Sequence, residues 1–150
     1  MKIALASDHA GFILKDHLAD YLRQQGHDVH DFGVDTDAVR ADYPDAAASV
    51  ATALTDGTAE RGILACGSGV GASIAANKYP GIYAAICHDT YSAHQGVEHD
   101  NMNVLVVGAQ VIGKKVAEEL SEAFLSAEFV NKDRYLDRFN MIKALEENDN

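Results

Sequence analysis

Several features that would direct a protein toward particular chemistry are scarce or missing in this chain of 150 residues. Cysteine occurs only twice, at Cys66 and Cys87, and no C-x-x-C pair is present, which excludes a disulfide framework and the common cysteine zinc motifs. No H-E-x-x-H motif or Cys/His cluster occurs either, so we expect no metal site. The two thiols are therefore interpreted singly.

Basic residues are also few, with 12 lysines and arginines against 23 acidic residues and a net charge of -11. Such a field repels nucleic-acid phosphates and anionic lipid headgroups, which argues against nucleic-acid and membrane partners. An anionic small-molecule substrate would need a local cluster of cations. The positions of the few arginines are therefore informative.

Long apolar runs are absent as well. The first run, residues 2–6, is too short for the apolar core of a signal peptide, and no stretch is long enough to span a membrane, so we expect a cytoplasmic protein. With only two prolines and no low-complexity tract, the chain shows no linker. We expect one domain over residues 1–150.

Five short strand-like runs rich in β-branched and small apolar residues predict strands at residues 2–6, 28–32, 62–66, 83–87 and 104–107. Each is nearly continuous, as is typical of strands buried on both faces of a parallel sheet. Apolar residues at helical spacing lie between them. The predicted helices include residues 44–54, 72–77, 91–98 and a terminal helix at 134–147.

This alternation predicts an α/β fold, a three-layer, doubly wound, five-stranded parallel sheet with helices on both faces and an extra C-terminal helix. A flavodoxin-like strand order of 2-1-3-4-5 would place the ligand crevice between the carboxyl ends of the first and third strands. Asp8 lies just after the first strand, and Cys66 is the last residue of the third. The most polar strand ends would then face one crevice.

The segment CGSGVG, residues 66–71, joins a predicted strand to a predicted helix. A thiol facing the first amides of a helix has a lowered pKa, which predicts that Cys66 is a base or nucleophile. The alternative is a small core residue, since cysteine is among the most buried residue types. Gly67, Gly69 and Gly71 either aim backbone amides at a phosphate or oxyanion or form a tight turn.

Five other positions suit acid-base chemistry or anion binding. Asp8 and His9 follow the first strand, although an aspartate there is also a good helix cap. His99 lies in a polar segment before the fifth strand, which a solvated loop would explain equally well. Arg134 and Arg138 share one helix face and either bind a phosphate or form a solvated, salt-bridged surface.

Five motifs taken together resemble the ribose-5-phosphate isomerase B family, which also contains galactose-6-phosphate and allose-6-phosphate isomerases. They are SDHAGF at 7–12, DYP at 42–44, CGSGVGASIAANK at 66–78, HDNMNVL at 99–105 and RYLDR at 134–138, in order over nearly the whole chain. The resemblance implies a doubly wound aldose–ketose isomerase of sugar phosphates that needs no metal or cofactor. It also implies a homodimer with its active site at the interface, and such dimers often pair into tetramers.

The resemblance implies catalytic roles for four side chains. Cys66 would be the base that moves a proton between C2 and C1 through an enediolate, and Ser68 would hold the developing oxyanion together with the loop amides. His99 of the partner subunit would assist opening of the furanose ring. Asp8 would lie on the other side of the ring.

The resemblance also implies a substrate site, in which Tyr43 lines the sugar and His9, Arg134 and Arg138 hold the phosphate. The glycine loop, read by itself, would instead suggest that the phosphate lies on the loop amides. Both arrangements place an anion on donors that are already oriented.

Two positions depart from the family pattern. Gln110 stands where the family usually has an arginine that helps hold the phosphate, and Asp100 stands where asparagine is common. Both changes remove positive or hydrogen-bond-donor character from an anion site. They bear on substrate identity more than on reaction type, because Cys66 and its loop are intact.

The expected function is the interconversion of ribose 5-phosphate and ribulose 5-phosphate, a reaction of the pentose phosphate pathway. Two alternatives stay open. One is an isomerase of a hexose 6-phosphate, allose or galactose, because a one-carbon difference cannot be read from the sequence. The other is a non-catalytic module that binds a sugar phosphate or nucleotide, which would explain the fold and glycine loop without a use for the thiol.

Overall fold

The computed structural model describes residues 1–147, which form five strands and six helices. The strands are β1 Lys2–Ser7, β2 Asp28–Asp31, β3 Arg61–Cys66, β4 Ala84–Ile86 and β5 Val104–Gly108. The helices are α1 Phe12–Gln24, α2 Tyr43–Thr55, α3 Val70–Ala76, α4 Thr90–Asp100, α5 Lys114–Ser126 and α6 Asp133–Glu147. The predicted α/β class is confirmed, with a wholly parallel sheet and an extra C-terminal helix.

The strand order is β2-β1-β3-β5-β4, so the predicted order 2-1-3-4-5 is wrong at one edge. Every residue of β5 is buried, whereas the three residues of β4 are only half-buried. A long, fully apolar strand gains most from a central position, and short strands are common at sheet edges. The crevice between β1 and β3 is unaffected by the exchange.

The free edge of β4 is covered by a side chain. The Asn77 side-chain amide donates to the Ala84 carbonyl at 2.8 Å, and its carbonyl oxygen accepts from the Ala84 amide at 2.9 Å. Asn77 thus satisfies the backbone groups that a further strand would otherwise pair.

The sheet separates two apolar cores. Ile3 and Leu5 point to the face covered by α1, α4 and α5, and Ala4 and Ala6 point to the face covered by α2 and α3. Because successive side chains of a strand alternate between faces, the nearly continuous apolar sequence of β1 serves both cores. Small residues on the second face let α2 approach closely, as at Ala47, which is fully buried.

Two helices differ from the sequence expectation or extend it. Helix α4 continues to Asp100, so His99 lies in its last turn and not in a polar loop. Helix α6 covers its own domain, with Phe139 packed edge-on against Tyr83 at 5.0 Å between ring centroids. Within residues 1–147, no helix combines the length and apolar character that crossing a membrane requires.

Gly11 is predicted to be intolerant of any side chain, because a Cβ built there would lie 2.2 Å from the Ala65 carbonyl oxygen. We expect Gly11→Ala to lower the free energy of unfolding by at least about 2 kcal/mol, since backbone atoms cannot move aside as a side chain can. Urea denaturation measures the change. Gly113→Ala is the matched control, because nothing lies within 4 Å of a Cβ there; equal effects of the two substitutions would contradict the prediction.

Candidate active site

The carboxyl ends of β1 and β3 bring Cys66 and Asp8 into contact. The two strands are hydrogen-bonded neighbours, with Ser7 opposite Ala65, so the residues that follow them meet at one edge of the sheet. The Cys66 thiol donates to Asp8 Oδ2 across 3.2 Å, and both side chains are buried. The predicted meeting of these two strand ends is therefore observed.

The electrostatic balance at Cys66 differs from the sequence expectation. Burial, followed by the hydrogen bond to Asp8, raises the pKa of the Cys66 thiol, although the amides of Gly69 and Gly67 act in the opposite direction. The predicted lowering of this pKa is thus wrong, because desolvation and a neighbouring carboxylate outweigh the amides. In the free protein Cys66 is a thiol whose hydrogen is directed at a carboxylate.

Asp8 is held in place by the backbone. Its Oδ1 accepts a hydrogen bond from the Gly11 amide at 2.9 Å, while its Oδ2 accepts from Cys66. Both oxygens of a buried carboxylate therefore have donors, as a buried charge requires. The turn after β1 orients the group that faces the thiol.

The peptide groups after Cys66 are oriented by a turn that follows β5. The Ala109 amide donates to the Cys66 carbonyl at 2.7 Å, and the Gln110 amide donates to the Gly67 carbonyl at 3.0 Å. In a planar trans peptide the N–H points opposite to the C=O. The amides of Gly67 and Ser68 are thereby directed away from β5, and the Gly67 amide acts on the Cys66 sulfur.

The loop then turns into α3 through Gly69, whose φ of 87° lies in the left-handed region. The exposed Ser68 hydroxyl accepts from the Val70 amide at 3.3 Å, which leaves its own hydrogen free to donate. The amides of Gly67 and Gly69 thus act on the Cys66 thiol, and Ser68 lies between them in the loop.

His9 and Tyr43 lie at the same edge. His9 Nδ1 is 2.9 Å from the Ala41 carbonyl oxygen, so the segment before α2 orients the imidazole. The Tyr43 ring covers Gly71, where a Cβ would lie 2.5 Å from the Tyr43 Cζ atom. Gly71 therefore makes room for the tyrosine.

The remaining predicted site residues form a second group on α4 and α6. The His99 and Tyr135 rings stack at 4.1 Å between centroids, and His99 Nδ1 lies 2.8 Å from the Gln95 side-chain nitrogen. The Arg134 guanidinium lies 4.5 Å from the centre of the Tyr135 ring. Asp100, Arg134 and Arg138 are exposed.

The two groups do not meet within one copy of the chain. His99 and Asp100 precede the amino end of β5 at Val104, whereas Cys66 lies opposite Gly108 at its carboxyl end. Four residues of strand separate these ends by roughly 13 Å. The contact that the resemblance implies between His99 and the thiol site is therefore absent within the protomer.

Sequence reasoning missed the backbone contribution of the segment after β5. Ala109 and Gln110 act through their main-chain amides, which no side-chain motif reveals. The Gln110 side chain itself lies beside Gly67, with its Cδ atom 3.7 Å from a Cβ built there. Among residues 1–147, no three histidine, cysteine or carboxylate side chains are grouped so that they would hold a metal ion.

Comparison with known proteins identifies close relatives. The family model described as Ribose/Galactose Isomerase matches residues 3–142. The chain is 46% identical over 129 residues to D-erythrulose-4-phosphate isomerase of Pectobacterium atrosepticum, covering 86% of this chain and 85% of that protein. It is 42% identical to ribose-5-phosphate isomerase B of Escherichia coli over 149 residues, 99% of each chain. The structure of Clostridium thermocellum ribose-5-phosphate isomerase B superposes with a TM-score of 0.97 at 41% identity, covering 100% of both chains.

The contact between Asp8 and Cys66 predicts the effect of removing the carboxylate charge. Asp8→Asn keeps an oxygen for the Gly11 amide but removes the negative charge that favours the neutral thiol, so we expect the pKa of Cys66 to fall. The pH dependence of iodoacetamide alkylation, with Cys66 and Cys87 distinguished by mass spectrometry, measures this pKa. Asp16→Asn, an exposed carboxylate, is the control; an unchanged or higher pKa in Asp8→Asn would contradict the prediction.

Proposed function

The chain belongs to the ribose/galactose isomerase family of sugar-phosphate isomerases, and from this premise we propose that it interconverts ribose 5-phosphate and ribulose 5-phosphate. The observation that carries the proposal is the buried pair of Cys66 and Asp8 beside oriented backbone amides. In such a pair the cysteine can act as the base, and the carboxylate can accept the proton that the thiol must lose first. A module that only binds its ligand has no need of either.

In the proposed reaction, Cys66 removes the C2 proton of the open-chain aldose and returns it to C1, while the hydroxyl proton of O2 is transferred to O1. The thiol first loses its own proton, and Asp8, at 3.2 Å, is positioned to take it. The raised pKa makes the thiolate scarcer but more basic, which suits removal of a weakly acidic proton from carbon. Asp8 is thus assigned a role in proton transfer in addition to its implied place beside the sugar ring.

The enediolate formed between these two steps carries its charge on oxygen. The amides of Gly67 and Ser68 point away from β5 because their carbonyl partners are bound to the turn after that strand. We assign these amides, those of Gly69 and Gly71, and the Ser68 hydroxyl to the oxyanion. Donors that are oriented before the reaction stabilise such a charge without rearrangement.

The phosphate is assigned to His9, Arg134 and Arg138. A protein with a net charge of -11 must concentrate its cations to bind a dianion, and these two arginines are exposed and one helical turn apart on α6. Gln110 contributes an amide and no charge on the Gly67 side of the site. The energy of binding the remote phosphate would orient C1 and C2 against Cys66. Tyr43 would line the sugar between them, with Asp100 near the enediolate.

A homodimer would unite the two groups of residues. His99 and the arginines lie at one end of the fold and Cys66 at the other, so a complete site needs His99, Arg134 and Arg138 from a second copy. Exposed apolar side chains accompany both groups. They are Val70 and Ile74 on α3, beside the thiol loop, and Met141 and Leu145 on α6, on the arginine-bearing helix. A dimer that buries these side chains would also complete the site.

A second substrate is favoured by one comparison. The relative from Pectobacterium atrosepticum acts, by its name, on a four-carbon ketose phosphate and shares 46% identity with this chain. Gln110 is neutral where the family usually has a phosphate-binding arginine, so the phosphate of this chain's substrate can lie in a different position. D-Erythrulose 4-phosphate is therefore our second candidate, ahead of the hexose 6-phosphates.

Turnover of ribose 5-phosphate in EDTA tests the proposed function directly. We expect the purified protein to form ribulose 5-phosphate, and Cys66→Ala to lower kcat by at least about 10²- to 10⁴-fold, because the base is lost. Cys87→Ala is the matched control, since that thiol lies in the other core. Activity that survives in Cys66→Ala would contradict the assignment. Activity with D-erythrulose 4-phosphate alone would favour the second candidate.

Mixing two inactive variants tests the shared site. In a hybrid of Cys66→Ala and His99→Ala subunits, one of the two sites has both native residues, so the isolated hybrid should have about half of wild-type activity and a randomly paired mixture about one quarter. Co-expression with two affinity tags isolates the hybrid. A hybrid as inactive as its parents would show that both residues act within one subunit and would contradict the shared site.

A further inference from the structure

His88 is the second residue beyond β4, after Cys87, and its position in the sequence suggests only an ordinary surface or helix histidine. In the structure its half-buried imidazole accepts a hydrogen bond from the Gly108 amide, with 3.0 Å between Nε2 and the amide nitrogen. Nε2 is therefore the unprotonated nitrogen, and the ring hydrogen lies on Nδ1. Nε2 is therefore the atom that a substitution must replace in order to keep this hydrogen bond.

The hydrogen bond from Gly108 to His88 takes the place of a backbone hydrogen bond between β4 and β5. The last paired residues of β4 and β5 are Ile86 and Val106, and beyond them the Cys87 amide donates to the Val106 carbonyl at 3.2 Å. In a parallel ladder the amides of alternate residues turn to the same neighbour, so the amide of Gly108 is the next one to face β4. The His88 ring supplies the acceptor that this buried amide needs.

Gly108 is also the point from which the thiol loop is held. The next two amides, those of Ala109 and Gln110, donate to the carbonyls of Cys66 and Gly67. Gly108 itself lies so close to the loop that a Cβ would be 2.6 Å from the Ser68 carbonyl oxygen. A displacement of Gly108 would therefore reach the thiol loop through three contacts.

We propose that His88 is a positioning residue: by accepting the Gly108 amide, it fixes the turn at 108–111 so that the amides of Gly67 and Ser68 keep their direction at the reactive edge. The imidazole acts through backbone atoms and does not contact the substrate. Its effect on turnover rests on the proposed function. Its effect on the environment of the Cys66 thiol does not.

Two substitutions of similar length separate the acceptor from the shape of the side chain. His88→Gln places a carbonyl oxygen at about the reach of Nε2, whereas His88→Met has no strong acceptor there. We expect His88→Met to lower kcat about ten- to a hundredfold with little change in KM, because misplaced donors weaken the transition state. His88→Gln should retain most of the wild-type kcat.

Alkylation of Cys66 by iodoacetamide, without substrate, gives an independent readout. The Gly67 amide favours the thiolate, so its misorientation in His88→Met should raise the pKa of Cys66 and slow alkylation severalfold at neutral pH. His88→Gln should restore the rate. His30→Met, a histidine on the opposite edge strand β2, is the control and should leave both readouts unchanged.

Three results would overturn the proposal: wild-type kcat and alkylation in His88→Met, equal losses in the Met and Gln variants, or equal losses in His30→Met. All assays are run below the thermal unfolding midpoint of each variant. His88→Leu, which also lacks an acceptor, replaces the Met variant, with the same expectation, if the latter does not fold. If the wild-type protein converts none of the sugar phosphates tested, the proposed function fails, and alkylation alone decides the role of His88.

Discussion

Close backbone packing at the carboxyl ends of β1, β3 and β5 is the constraint on which the reactive edge depends. Gly11 lies against the Ala65 carbonyl and Gly108 against the Ser68 carbonyl, at separations that leave no room for a Cβ. Because the segments are this close, the turn after β5 can hold the carbonyls of the thiol loop. The direction of the loop amides is thus a property of the sheet as a whole and not of the glycine loop alone.

The thiol environment combines opposed effects. Burial and the Asp8 carboxylate favour the neutral thiol, while the loop amides favour the thiolate. A fully solvated cysteine would ionise more readily but its thiolate would be a weaker base. The observed arrangement favours the proton on sulfur and places a carboxylate oxygen of Asp8 3.2 Å away.

The negative Asp8 and the positive arginines of the candidate site lie at opposite ends of the fold. Asp8 and the amide loop lie at one end of the sheet, and the exposed arginines lie on α6 beside the stacked His99 and Tyr135 rings. The chain has 12 lysines and arginines against 23 acidic residues, so few cations are present to bind a phosphate. The proposed dimer would bury the apolar side chains of α3 and α6 and bring positive charge to the thiol end of a second copy.

The sequence alone determined the α/β class, the approximate strand and helix positions and the meeting of Asp8 with Cys66, because these follow from local periodicity and from the common edge of parallel strands. The roles of individual residues came from the resemblance. Tertiary structure decided the order of β4 and β5, the raised pKa of Cys66, the bond from Gly108 to His88 and the separation of His99 from the thiol. Each of these depends on which distant segments pack together, and burial, strand partners and backbone donors are properties of that packing which no local pattern of residues contains.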